Sequence, residues 1–178
     1  MNNLFKIALT GLLLTACTTV DISQPPIAVT PTNRATAIGL DVYGRDRARG
    51  ATVPRFRGQE LFEVRTFGNR NGDGYGEMTG ASCNLDSGLY QATFTTPANI
   101  LVPDYGPDSP AIFIQCAIDG KTSSATVNAV NLTSQQRSQS AAGAGLLGAL
   151  IIGAVNESKR NNETDDFGYN PIRINIDR

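Results

Sequence analysis

The sequence predicts a mainly β protein. The expected architecture is an antiparallel β-sandwich with one short Gly/Ala-rich helix or apolar loop, behind an N-terminal signal and tether. Three observations point there. Short runs rich in Val, Ile, Thr and Phe recur along the chain, punctuated by Gly, Pro, Asn and Asp, a spacing that suits a sandwich better than a parallel sheet. The clearest run, Ile172-Arg173-Ile174-Asn175-Ile176, alternates strictly, isoleucines to one face and polar residues to the other. Hydrophobic residues make up 40% of the chain but aromatic ones only 7%, with no tryptophan, so the core should be aliphatic.

Taken in order, residues 18–35 are rich in Thr, Pro and Ser with weak periodicity, and read as an extended tether in which Ile27-Ala28-Val29 can add an edge strand. Strands are expected at 37–43, 61–67, 77–85, 89–94, 99–102, 111–118, 122–132 and 171–176. This divides the chain into a leader over 1–16, a tether over 17–35 and a sandwich domain over 36–178. One segment departs from the pattern. Ala141, Gly145, Ala149 and Gly153 recur every four residues within an uncharged stretch, 141–155. On a helix they form one small-residue stripe that lets another backbone approach closely, for self-association or membrane contact. Fifteen helical residues span only about 22 Å, short of the roughly 30 Å hydrocarbon core. Each interior glycine costs a helix about 1 kcal/mol, so an apolar loop remains the alternative. The polar flanks, 134–140 and 156–166, are expected to be solvated.

Charge and composition exclude several functions. Fifteen Lys+Arg against 16 Asp+Glu leave no field to draw in nucleic acid. There is no histidine, which removes the usual neutral-pH general base and the commonest metal ligand. No cofactor or small-molecule substrate is implied by any motif.

The N-terminus reads as a secretory signal: Lys6 near the start, an apolar run over 7–14, then small residues before Cys17. Leu14-Thr15-Ala16-Cys17 resembles the lipobox of bacterial lipoproteins. That resemblance implies a mature chain beginning at Cys17, acylated there with fatty chains such as palmitate, and effectively permanent membrane attachment. Thr18, rather than Asp, implies sorting to the outer membrane, facing the periplasm or the cell surface. Cys83 and Cys116 remain, and in an exported chain they most economically form one disulfide. Closing a loop of that length is worth roughly 3–4.7 kcal/mol in the chain-entropy model. No basic residue lies near either in sequence to activate a catalytic thiol.

A second resemblance covers about 78–176. Gly80-Ala81-Ser82-Cys83, Thr96-Pro97-Ala98-Asn99-Ile100, Ile114-Gln115-Cys116 with Gly120, and Tyr169-Asn170-Pro171-Ile172-Arg173-Ile174 are similar to a pattern in small proteobacterial lipoproteins with a PEGA-like domain. It implies an immunoglobulin- or prealbumin-like sandwich and an envelope location, but no activity. Lys121 and Thr122 stand where that family has an aromatic residue, and one residue is inserted before Pro171.

Three further sets are candidates. Asn69, Asn71, Asp73 and Glu77, with the Tyr75 carbonyl, echo a calcium loop, though Asn-Gly and Asp-Gly equally favour a hairpin turn. Arg45, Arg47, Arg49, Arg55 and Arg57 crowd one segment and suit lipid phosphates or cell-wall carboxylates, or simply a solvated loop. Asp104, Asp108, Asp165 and Asp166 show no catalytic pairing in sequence. The expected role is non-catalytic, in envelope structure or interaction with an envelope protein or a second copy. An anion-binding module is the first alternative and a carboxylate-based enzyme the second.

Overall fold

Alternation along the strands explains how the two layers meet. In Ser82–Asp86 and Ile112–Ile118, Cys83, Leu85, Ile112, Ile114 and Cys116 are buried while Ser82, Asn84, Phe113 and Gln115 face out. The computed structural model describes residues 19–70, 74–140 and 159–176. It places β1 at Ile27–Ala28, β2 at Thr30–Pro31, α1 at Gly44–Ala48, β3 at Gly58–Arg70, β4 at Gly74–Met78, β5 at Ser82–Asp86 and β6 at Tyr90–Thr95. After these come β7 at Ala98–Asp104, β8 at Ile112–Ile118, β9 at Lys121–Val127, β10 at Val130–Asn131, α2 at Leu132–Ser140, β11 at Phe167–Gly168 and β12 at Ile172–Asn175.

One sheet runs β2-β6-β5-β8-β9, antiparallel throughout. The other runs β1-β7-β3-β12. β3 is long enough to take two partners along one edge: β7 pairs with Gly58 to Val64, and β4 with Thr66 to Arg70. Thr66 sits at that junction, fully buried, donating to the Met78 carbonyl (2.6 Å) and lying 2.7 Å from the Thr96 hydroxyl. Phe62, Val64, Ile100 and Val102 from this sheet pack against Leu85, Tyr90, Ile112 and Ile114 from the other. Burial of these apolar side chains is the main stabilising contribution, at roughly 25 cal/mol per Å².

The mainly β sandwich is as expected, with qualifications. Two pairs are parallel, β12 on β3 and β1 on β7. Residues 27–31, inside the expected tether, belong to both sheets: β1 joins one, β2 the other, and Val29 between them is 3% exposed. The expected strand at 37–43 is instead a tight reversal: Gly39 takes a φ of +61°, Ile38 bridges Asp41, and α1 follows. The expected strand at 77–85 is two, because at Gly80 (φ +83°) the chain crosses from β4 in one sheet to β5 in the other. At 122–132 the strand stops at Val127. The flank expected to be solvated, 134–140, is helical, begun by Asn131, whose side-chain oxygen accepts from the Ser134 N–H (2.7 Å).

Cys83 and Cys116 are a direct cross-strand pair on β5 and β8 and form the disulfide, Cα atoms 4.1 Å apart. It ties two neighbouring strands of one sheet rather than joining the layers.

Candidate functional site

β3 runs the length of the sandwich, so its two ends mark two poles. Its 13 residues cover about 40 Å. Each pole gathers charged groups, in different ways.

At the pole where β3 meets β4, the chain just after Cys17 is held down. The Val20 N–H donates to Glu77 Oε2 (2.7 Å), and Arg65 Nη1 donates both to the Val20 carbonyl (2.7 Å) and to Glu77 Oε1 (2.6 Å). Arg65 Nε donates to Glu63 (2.6 Å). Arg65 is 8% exposed although it points away from the core, since the strap formed by the N-terminal segment covers it. Burial works against its charge, but the bonds it donates to Glu63 and Glu77 outweigh that and hold the guanidinium above its ordinary value. Beside the strap lies an open cleft of about 530 Å³, lined by Val20, Asn69, Arg70, Thr79, Asp119 and Lys121 among others.

Of the calcium candidates, Asn71 and Asp73 lie outside the described residues. Asn69 pairs with Tyr75 and Arg70 with Gly74 in the β3–β4 hairpin, so 71–73 connect two antiparallel strands. Glu77 spends both oxygens on Arg65 and Val20. Among the described residues no group of three or more Cys, Asp or Glu is placed to hold a metal ion.

The opposite pole carries the carboxylates. Asp165, 4% exposed, accepts from Asn131 Nδ2 (2.7 Å), the Asn161 N–H (3.0 Å) and Arg137 Nη2 (2.6 Å), and these bonds, that from Asn131 foremost, hold its carboxyl below the ordinary range. Arg57 donates to the Asp165 carbonyl (3.0 Å) and to that of Asn162, with its guanidinium over the Phe167 ring. Glu60 sits beneath β11. Burial first, then the charges of Asp104 and Asp166, push its carboxyl up to about 8, against a pull downward from the Tyr169 N–H. Its Oε1 and the Arg57 Nε are buried without a hydrogen-bond partner. Tyr90 and Tyr169 bring their hydroxyls within 3.2 Å nearby, and burial raises both, Tyr169 to about 12.

A carboxyl titrating near 8 can act chemically as an acid at neutral pH. Glu60 is nonetheless packed against Gly168, and the neighbouring open cleft of about 320 Å³ is lined by α2 and Asp166, not by Glu60 or Asp104.

The arginine segment does not gather into one surface. Arg47 is bonded to Asp41 and to the Pro54 carbonyl, Arg45 to the Ala37 carbonyl (3.3 Å), and Arg49 lies 3.6 Å from Asp46. Arg57 is built into the far pole, and Arg55 is exposed. Cys17 and the stripe Ala141, Gly145, Ala149 and Gly153 lie outside the described residues. Among the described residues, no helix is long and apolar enough to cross a membrane.

Arg65, Glu60 and the strap were not singled out by sequence. The alternation of Glu63 and Arg65 on one face of an otherwise apolar strand was the available signal. No protein-family model, curated protein or solved structure matches this chain.

Proposed function

We propose that this chain is a lipid-anchored protein of the bacterial outer membrane, facing the periplasm or the surface, whose folded domain serves a non-catalytic structural or interaction role. The carrying observation is Leu14-Thr15-Ala16-Cys17 behind a basic and apolar leader, with the domain beginning to bind the chain only three residues later, at Val20. The resemblance to small PEGA-like lipoproteins supports the same reading. The arginines of 45–57 lend less support to an anion-binding module, since Arg47 and Arg57 are spent inside the fold. The packing over Glu60 likewise favours a structural carboxyl over an enzyme's acid.

The experiment is expression of the full chain in a Gram-negative host with an alkyne-bearing palmitate. The parent should gain acyl mass on Cys17 and fractionate with outer membranes, and Cys17→Ser should lose both. A parent without acyl mass, or a serine variant still retained by membranes, overturns the proposal.

A further inference from the structure

We infer that the strap pole is a membrane-docking surface whose cleft beside Val20 receives the phosphate headgroups of the bilayer holding the anchor. This rests on the acylation of Cys17 proposed above and goes beyond it, because a domain on a loose tether has no preferred face toward the membrane.

The strap removes that looseness. Both the N–H and the carbonyl of Val20 are bonded, to Glu77 and Arg65, so this residue is fixed in position and direction. The clasp is charge-assisted, and its side chains are 10% and 5% exposed, so salt screens it little. Two residues, Thr18 and Thr19, separate Val20 from Cys17, so the three steps between them span at most about 11 Å of extended chain. The headgroup layer of one leaflet is about 5–8 Å thick. An acylated Cys17 therefore holds Val20, and the surface around it, against the headgroups.

The charges at that surface suit the contact. Arg70 and Lys121 line the cleft together with Asp119 and Glu77, and Arg65 is shared between Glu77 and Glu63. Guanidinium and ammonium groups are the usual partners of phosphate oxygens. At the far end of β3, Asp104, Asp108 and Asp166 collect beside Arg57 and Arg137, which are bonded to the Asp165 carbonyl and carboxylate respectively.

The test uses the full chain, acylated in cells and reconstituted in vesicles of phosphatidylethanolamine and phosphatidylglycerol bearing headgroup nitroxides. A fluorescent thiol label is placed at Thr79→Cys, beside the cleft, or at Asp108→Cys, at the far pole. The Thr79 label should be quenched several-fold more than the Asp108 label. The charge reversals Arg70→Glu and Lys121→Glu together should reduce that difference several-fold, with acyl mass unchanged and the protein still folded by circular dichroism. Acylated protein with equal quenching at both labels overturns the orientation and leaves the anchor standing. Quenching that ignores the charge reversals overturns the phosphate contact. Absence of acyl mass on Cys17 overturns the anchor itself, and the inference with it.

Discussion

Replacing Glu60 with glutamine should change how stability depends on pH, with a sign that the structure dictates. The folded chain holds the Glu60 proton up to about pH 8, whereas the unfolded chain releases it near 4.5. Between those values the native state binds one more proton, so stability falls as pH rises. The contribution is fully present below about 4.5 and is gone above about 8. Taken whole, such a shift corresponds to roughly 5 kcal/mol at 1.36 kcal/mol per pH unit. Glu60 is only partly buried, and water screens the repulsion from Asp104 and Asp166, so about 1–2.5 kcal/mol is the expected size. Glutamine keeps an oxygen for the Tyr169 N–H and cannot ionise. Urea unfolding followed by circular dichroism should therefore find parent and Glu60→Gln nearly equal at pH 5, and the variant more stable by that margin near pH 8.5. Other groups add slopes of their own, but those are common to both proteins and cancel in the difference. Parallel curves from pH 5 to 8.5, or a variant that loses ground at high pH, would refute a neutral, partly buried Glu60.

The remaining predictions concern the covalent and ionic ties. Replacing Cys83 and Cys116 together by alanine should cost about 3.7 kcal/mol, from a sequence separation of 33, read as a lower urea midpoint. Glu77→Ala should cost about 3–5 kcal/mol because it leaves Arg65 buried with only Glu63, whereas replacing Arg65 and Glu77 together by leucine should cost less. Limited proteolysis of both variants should cut before Ile27 much faster than in the parent, since the strap has lost its clasp. Equal cutting rates would mean that the Val20 contacts carry no weight.

The elements legible in sequence are those whose period-two pattern has one buried face. β5 and β12 alternate in residue type, β8 does so except at the outward-facing Phe113, and burial follows, because the opposite layer covers only one side of each. Where a strand changes sheet the signal fails. Met78 to Ser82 carries strand-like residues on both sides, and only the left-handed glycine at 80 marks the crossing. AIGLDVY alternates on paper but contains Gly39 at the position where the chain turns back. α2 is polar all round, so it had no apolar stripe to reveal it, and its capping Asn131 was hidden at the end of a Thr/Val-rich run. The strap was illegible for a different reason. Its partners lie 45 and 57 residues away, and nothing local in 18–35 announces that a distant Arg–Glu pair will bind its backbone. Glu77 was noticed for its oxygen, but the partner is a guanidinium rather than a cation from solution.

The stem of the Gly/Ala-rich stretch is on the far side of the molecule from the strap, and this separates its two expected uses. The described chain stops after α2 and resumes at Lys159, whose carbonyl accepts from Arg137 (3.3 Å). Arg137 also binds Asp165, and the Asp165 carbonyl is held by Arg57 beside the start of β3. About 23 Å of strand separates Gly58 from Arg65, where the strap begins. Eighteen residues leaving and returning to one place reach about 30 Å when fully extended. With the strap pole on the bilayer, about 23 Å of that reach goes to coming level with the strap, and the remainder of about 7 Å is no more than the headgroup layer, short of the hydrocarbon core. A second protein, or a second copy of this chain, is the contact that this placement favours. Gly145→Leu with Ala149→Leu should then reduce the size of complexes captured by crosslinking in intact cells while leaving membrane fractionation unchanged. Loss of membrane retention with complex size preserved would reverse the argument.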